Sequence, residues 1–99
     1  MKYGDNSEQL CKDHERVIES ILEEEEKIIK THRKHIDEQV GAVKDEMTLL
    51  NEVDKPGSDV ESYIVSLDTV LQRKMKLIEG LRGQLINFYK QLKTEDQMS

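Results

Sequence analysis

The 99-residue chain has few of the residues that build compact cores, disulfides or frequent turns. Tryptophan is absent, aromatic residues make up 4% of the chain, and proline and cysteine occur once each, at Pro56 and Cys11. A single cysteine excludes an intrachain disulfide and is compatible with a reducing compartment. With 35% apolar and 36% charged residues, the composition favours long helices that each bury one stripe over a globule with a central core.

Long apolar runs are also absent. No stretch approaches the roughly 18 consecutive apolar residues that a transmembrane helix needs, and the first residues, MKYGDNSEQL, lack the apolar centre of a signal peptide. We therefore expect a soluble, cytoplasmic protein with no membrane partner.

The charge is acidic overall and unevenly distributed. The net charge is −6, with 8 basic and 14 acidic side chains in residues 1–53 and 7 of each in residues 54–99. An acidic chain is poorly suited to binding nucleic acid or the acidic surface of a microtubule by itself. Tyr63, Phe88 and Tyr89, close to a locally basic stretch, are better explained by packing than by stacking on bases. We expect no nucleic-acid partner and no direct microtubule binding.

Catalytic and metal-binding patterns are missing from the sequence as well. It contains no phosphate-binding loop, no G-x-S-x-G elbow and no Cys-His arrangement. His32 and His35 share a helix face and could hold a metal with Glu25 or Glu38, but polar positions in a helix seam explain them adequately. The four glutamates at 23–26 spread around a helix and cannot address one ligand. We expect no enzyme activity, no cofactor and no metal.

The lone proline marks the one hard break in the chain, within NEVDKPGSDVES. Pro56 has no amide hydrogen and disfavours helical geometry at Lys55, while Gly57 can adopt a positive φ. Ser58 and Glu61 follow with the S-x-x-E spacing of a capping box. The break therefore predicts a short turn between two helices.

The expected fold class is all-α, a long antiparallel helical hairpin that forms a single module over residues 1–99. We predict a helix from about residue 7 to 53, a turn at 54–57 and a helix from about 58 to 94, because a short connection favours antiparallel neighbours. The predicted turn residues are Asp54, Pro56, Gly57 and Ser58.

Apolar residues recur every seven positions in both predicted helices, as they do in coiled coils. The predicted interface residues are Leu22, Ile29, Ile36, Val43, Leu50, Val60, Ile64, Leu67, Leu71, Ile78, Leu81, Leu85, Phe88 and Leu92. The first helix carries a second seven-residue track, separated from the first by polar side chains. Its members are Ile21, Ile28, His35, Ala42 and Leu49. A split face of this kind is typical of a helix with two neighbours, so we expect two hairpins to pair into a four-helix bundle, a coiled-coil homodimer.

Charge placement supports the antiparallel arrangement. A hairpin folded about Pro56 places the acidic pair Asp37 and Glu38 opposite the basic residues Lys74 and Lys76. Such exposed pairs select a register more than they stabilise it.

Two glycines lie inside the second helix, where each costs roughly 1 kcal/mol relative to alanine. Gly80 and Gly83 fall opposite His32 and Ile29. Either their missing side chains allow a close approach of the helices or make room for His32, or they are tolerated weak points on a solvated face.

Several local motifs around the turn add a family likeness. His32-Arg33-Lys34, Glu46-Met47 with Leu49-Leu50, and residues 53–58 (VDKPGS) occur at intervals that resemble the C-terminal tail of the kinesin-13 motors, which depolymerise microtubules. The likeness covers about residues 25–93 and includes Tyr63, Leu67, Leu71, Lys74, Leu81 and Leu85 after the turn. It implies a dimerisation and regulatory tail without the motor domain, associated with the cytoskeleton through the parent motor.

Two alternatives stay open. The hairpin could be monomeric and offer its apolar groove to an adaptor protein or to the surface of the parent motor. It could also be an unrelated cytoplasmic coiled-coil scaffold.

Overall fold

The computed structural model is an antiparallel hairpin of two long helices. Helix α1 spans Lys2–Val53 and helix α2 spans Val60–Met98. The structure describes the backbone of residues 2–98 and the side chains of residues 12–94, and this described part contains no strand. The molecule measures 86 × 18 × 13 Å. The predicted all-α hairpin is confirmed.

The helix bounds differ from the predicted ones. Helix α1 begins at Lys2 rather than near residue 7, and α2 begins at Val60 and continues to Met98 rather than ending near residue 94. The connection is therefore residues 54–59, slightly longer than the predicted turn at 54–57.

The connection is stabilised by backbone hydrogen bonds between residues close in sequence. The amide of Lys55 donates to the carbonyl of Glu52, and the amide of Ser58 donates to the carbonyl of Lys55, both at 3.2 Å. Gly57 has φ +79°, a left-handed conformation that side-chain-bearing residues adopt at a cost. Pro56 therefore stops α1, and Gly57 reverses the chain.

The predicted capping box at Ser58 is wrong. Asp59 caps α2, because its Oδ1 accepts a hydrogen bond from the amide of Glu61 at 3.1 Å. The hydroxyl of Ser58 instead donates to the carbonyl of Val53 at 2.7 Å, at the last turn of α1. The two adjacent polar residues thus hydrogen-bond to the ends of different helices.

The hairpin seam uses the second track of α1. Ala42 and Val70 are the buried apolar residues of the described part, with 0% and 8% of their surface exposed. Around them, half-buried side chains follow the seam on both helices. These are Ile21, Ile28, His35 and Leu49 from α1, and Tyr63, Leu67, Leu77, Leu81, Phe88 and Leu92 from α2.

Gly80 and Gly83 do not mark a close approach of the helices. A Cβ atom added at either position meets no heavy atom within 4 Å. Of the two interpretations left open by the sequence, the structure favours tolerated weak points in α2.

The ion pairs across the hairpin differ from the expected ones. Arg73 contacts Asp45 at 2.6 Å and Lys74 contacts Glu46 at 3.1 Å, whereas Glu38 pairs with Lys34 of its own helix at 3.7 Å. Every side chain of a helix tilts toward that helix's N-terminus. In an antiparallel pair, two side chains therefore tilt toward each other only when each residue lies C-terminal to the position directly opposite its partner. Asp45 and Glu46 therefore lie about two helical turns nearer the connection than the α1 residues directly opposite Arg73 and Lys74.

Candidate functional site: an exposed apolar face

Most of the predicted interface residues are not used by the hairpin itself. Their exposed fractions lie between 43% and 60%. We call them the apolar face, and they are Leu22, Ile29, Ile36, Val43 and Leu50 on α1 with Val60, Ile64, Leu71, Ile78 and Leu85 on α2. The other four predicted residues, Leu67, Leu81, Phe88 and Leu92, are half-buried in the seam.

The two stripes of the apolar face lie on the same side of the hairpin. Ile29 of α1 and Leu85 of α2 line one shallow groove together with His32. Nearer the connection, Val43 and Leu50 of α1 line a second groove that Leu67 and Tyr63 of α2 complete. The face is therefore continuous across both helices.

The opposite side of the hairpin is polar. A groove on that side is lined by the seam residues Leu77 and Leu81 and by polar side chains that include Thr31, Lys34, Glu38 and Lys76. The ion pair between Arg73 and Asp45 is exposed. The hairpin thus has one polar and one apolar broad side, as expected for a layer that covers only one neighbour.

A row of polar side chains lies between the seam and the apolar face. We call it the groove row: His32, Gln39 and Glu46, spaced seven residues apart. Glu46 Oε2 accepts from Lys74 Nζ, with the two side chains only 22% and 27% exposed. Gln39 donates to the carbonyl of Lys74 at 3.3 Å. These contacts form one polar layer between the seam and the apolar face.

The sequence interpretation missed the residues that hold the hairpin together most tightly. Ala42 and Val70 are absent from the predicted interface, as are His35 and Leu77 in the seam. The signal was present, because Ala42 and His35 belong to the second track of α1. A heptad pattern cannot by itself say which of two tracks faces which neighbour.

The two histidines nearest the seam have different surroundings. His35 is half-buried in the seam while His32 is exposed beside the groove, and no three His, Cys, Asp or Glu of the described part are placed to hold a metal ion. Within the same residues, neither helix is long and apolar enough to cross a membrane.

Comparison with known proteins identifies the relatives of this chain. It is 41% identical over 92 residues to the kinesin-like protein KIN-13A of Oryza sativa subsp. japonica, a match covering 93% of the chain. It is 38% identical over 76 residues to the kinesin-like protein KIN-13B of Arabidopsis thaliana, a match covering 77% of the chain. The chain is a kinesin-13 relative.

The resemblance to kinesin-13 seen in the sequence is thereby confirmed. The kinesin-13 match covers about 11% of the length of each of these two proteins, so it concerns one segment of them. No protein-family model matches the chain, and no solved structure matches it.

Proposed function

We propose that this chain is a non-catalytic dimerisation module of a kinesin-13 motor, in which the apolar faces of two hairpins pack together into a four-helix bundle. The observation that carries the proposal is the split face of α1. One of its tracks is occupied by α2, whereas the other is left exposed beside the exposed stripe of α2.

The size of the apolar face fits an interface between two copies. It extends about 45 Å along α1 at 1.5 Å per residue and the hairpin is 18 Å wide, so it covers roughly 800 Å². A standard protein–protein interface buries about 800 Å² per partner, whereas the largest apolar patch of a typical monomer is about 300–600 Å². A face this large therefore favours association.

The interior of the hairpin supports the same proposal. Among the described residues only Ala42 and Val70 are buried apolar side chains, so the helix pair has little core of its own. An isolated helical hairpin of this kind gains little from burial. A second hairpin laid on the apolar face would bury both stripes. In that role the segment would couple two kinesin-13 chains and associate with the cytoskeleton through them.

Sedimentation equilibrium tests the proposal directly. We expect the chain to have twice its 11.6 kDa mass at micromolar concentration. The double variant Leu71→Asp/Ile78→Asp places four charges in the bundle interior and should shift the mass to that of the monomer. A matched control is Ser62→Asp/Thr69→Asp, with the same charges and spacing at exposed positions that helical spacing places away from the apolar face.

The outcomes separate the alternatives. A wild-type chain that stays at 11.6 kDa with full helical circular dichroism contradicts dimerisation and favours a monomeric hairpin that recruits an adaptor or the parent motor's surface. A control variant that also dissociates would locate the interface elsewhere on the hairpin.

A further inference from the structure

The border of the apolar face has a charge pattern that depends on position along α2. On each helix, a second row of residues borders the stripe on the side away from the seam. We call it the outer row; its members are seven residues apart, each four residues after one stripe residue and three before the next. On α2 this row reads Glu61, Asp68, Met75, Arg82 and Tyr89, and Lys93 lies over the ring of Tyr89 at 5.4 Å. The row is acidic near the connection, apolar in the middle and basic toward the open end.

The outer row of α1 is also apolar near its middle. It reads Glu26, Arg33, Val40 and Met47, with Val40 and Met47 exposed to 48% and 59%. Val40 and Met75 occupy about the same level of the hairpin, because Gln39 contacts the backbone of Lys74. The apolar face is therefore widest at the level of Val40 and Met75.

We propose that the two hairpins of the dimer pack face to face and antiparallel, with the connection of each at the open end of the other and the two-fold axis crossing the hairpins at the level of Val40 and Met75. This inference rests on the proposed dimerisation.

The antiparallel arrangement makes the charges of α2 self-complementary. A two-fold axis perpendicular to the helices sets α2 against α2 of the second copy, so that Met75 meets Met75. Asp68 then meets Arg82, and Glu61 meets Tyr89 with the Lys93 ammonium over its ring, each contact occurring twice because the interface is isologous. Ile64 and Leu71 of the stripe meet apolar partners in the same register.

The parallel arrangement, with both connections at one end, is less favourable. Its two-fold axis sets α1 against α2 of the second copy at the same level. Glu26 would then meet Tyr89 and the Lys93 ammonium over its ring, a favourable contact, but Arg33 would meet Arg82. Like charges at a dimer border select against an arrangement.

The groove row gives an independent reason for the antiparallel arrangement. With α1 against α1 of the second copy, Gln39 meets Gln39 close to the axis, and His32 meets Glu46. In the parallel arrangement His32 would face Leu81 of the second copy, where its imidazole loses solvation and gains no hydrogen-bond partner. Glu46 would face Leu67 and keep only its contact with Lys74 of its own chain.

Pulsed electron spin resonance between two labelled copies tests the orientation. With Cys11→Ser and a spin label on Lys55→Cys in the connection, the antiparallel dimer places the two labels on opposite sides of the axis, about 50 Å apart by helical rise. The parallel dimer would place them within about 25 Å. The labelled chain carrying Leu71→Asp/Ile78→Asp is the background control and should give no defined distance.

The three outcomes are distinct. A distance of about 50 Å supports the proposal. A distance below about 25 Å in a chain that sediments as a dimer overturns the orientation and leaves the proposed function standing, whereas a monomer overturns both.

Charge reversal gives a second readout that does not need labels. Asp68→Arg alone, or Arg82→Asp alone, sets like charges together twice in the antiparallel dimer and should raise the dimer dissociation constant roughly tenfold at low salt. The double variant Asp68→Arg/Arg82→Asp restores the pairs and should return the constant to near the wild-type value. Absence of this rescue contradicts the proposed contact between the two residues.

Discussion

At the scale of single residues, the backbone conformation of each glycine decides what it contributes. Gly57 adopts a φ of +79° in the connection, whereas Gly80 lies inside α2 with open space around its Cα. The two positions therefore respond in opposite directions to the same substitution, because an alanine is strained at the first and favours helix at the second.

We predict that Gly80→Ala raises the free energy of unfolding by about 1 kcal/mol, while Gly57→Ala lowers it by about 1–2 kcal/mol. Urea denaturation followed by circular dichroism, at one fixed protein concentration because association adds to stability, measures both. A destabilising Gly80→Ala would mean that this position is covered by a neighbour, which would place an interface on the polar side of the hairpin.

The Lys74–Glu46 contact is the other informative feature at this scale. Both side chains are mostly shielded, and a shielded ion pair adds little net stability compared with apolar residues of similar size. Polar groups at single heptad positions are better known for selecting register than for strength. We therefore expect the pair to select the register of the two helices more than to stabilise them.

At the scale of elements, the two helix ends that flank the connection are each satisfied by a different side chain. Ser58 satisfies the carbonyl of Val53 at the end of α1, and Asp59 accepts from the amide of Glu61 at the start of α2. A carboxylate at the N-terminus of a 39-residue helix also interacts favourably with the helix dipole.

Removing the cap tests this assignment. Asp59→Ala should lower the free energy of unfolding by about 1 kcal/mol, whereas Asp59→Asn should retain most of it because asparagine also caps helices. Thermal denaturation by circular dichroism of the two variants at matched concentration measures the difference. If Asp59→Ala were neutral while Ser58→Ala carried the whole loss, the capping box expected from the sequence would be the correct description after all.

At the scale of the whole molecule, the hairpin is an amphipathic layer rather than a closed domain. Its polar side carries the solvent-exposed ion pairs Lys34–Glu38 and Arg73–Asp45. Its apolar side is left uncovered by the described part of the chain. A chain of this shape gains stability from a second layer, so folding and association should be coupled.

That coupling predicts a concentration-dependent melting temperature. The wild-type Tm should rise by several degrees as the concentration increases a hundredfold, whereas Leu71→Asp/Ile78→Asp should melt at one lower temperature across the same series. Differential scanning calorimetry provides the measurement. A wild-type Tm that does not change with concentration would indicate a hairpin that is stable alone, contrary to dimerisation.

Much of the element-level description was predictable from local sequence. Pro56 and Gly57 end one helix and reverse the chain for stereochemical reasons that do not depend on the rest of the fold. The seven-residue spacing of Leu71, Ile78 and Leu85 predicts a helix with an apolar stripe. The kinesin-13 likeness was readable in the same way, from motifs around the turn.

Other features followed only from the arrangement of the two helices. Both apolar tracks of α1 were visible in the sequence. The sequence did not assign Ala42 to the seam and Ile36 to the exposed face, because that assignment depends on how far each helix is rotated about its axis. The predicted pairing of Asp37 and Glu38 with Lys74 and Lys76 was wrong. The direction in which a side chain tilts along its helix shifts which residues meet, and this shift is visible only once the helices are packed.

The chain by itself thus determined two long helices, their break and their apolar stripes, since these depend on the conformational preferences of neighbouring residues. Tertiary structure decided that Leu67 and Leu81 close the hairpin while Leu71 and Ile78 remain exposed beside α1. The physical reason is that a helix contacts one neighbour along a single stripe, so a hairpin with one partner helix leaves its second apolar track exposed. Which track is buried is settled by packing two surfaces together, and the remainder forms the face proposed to dimerise.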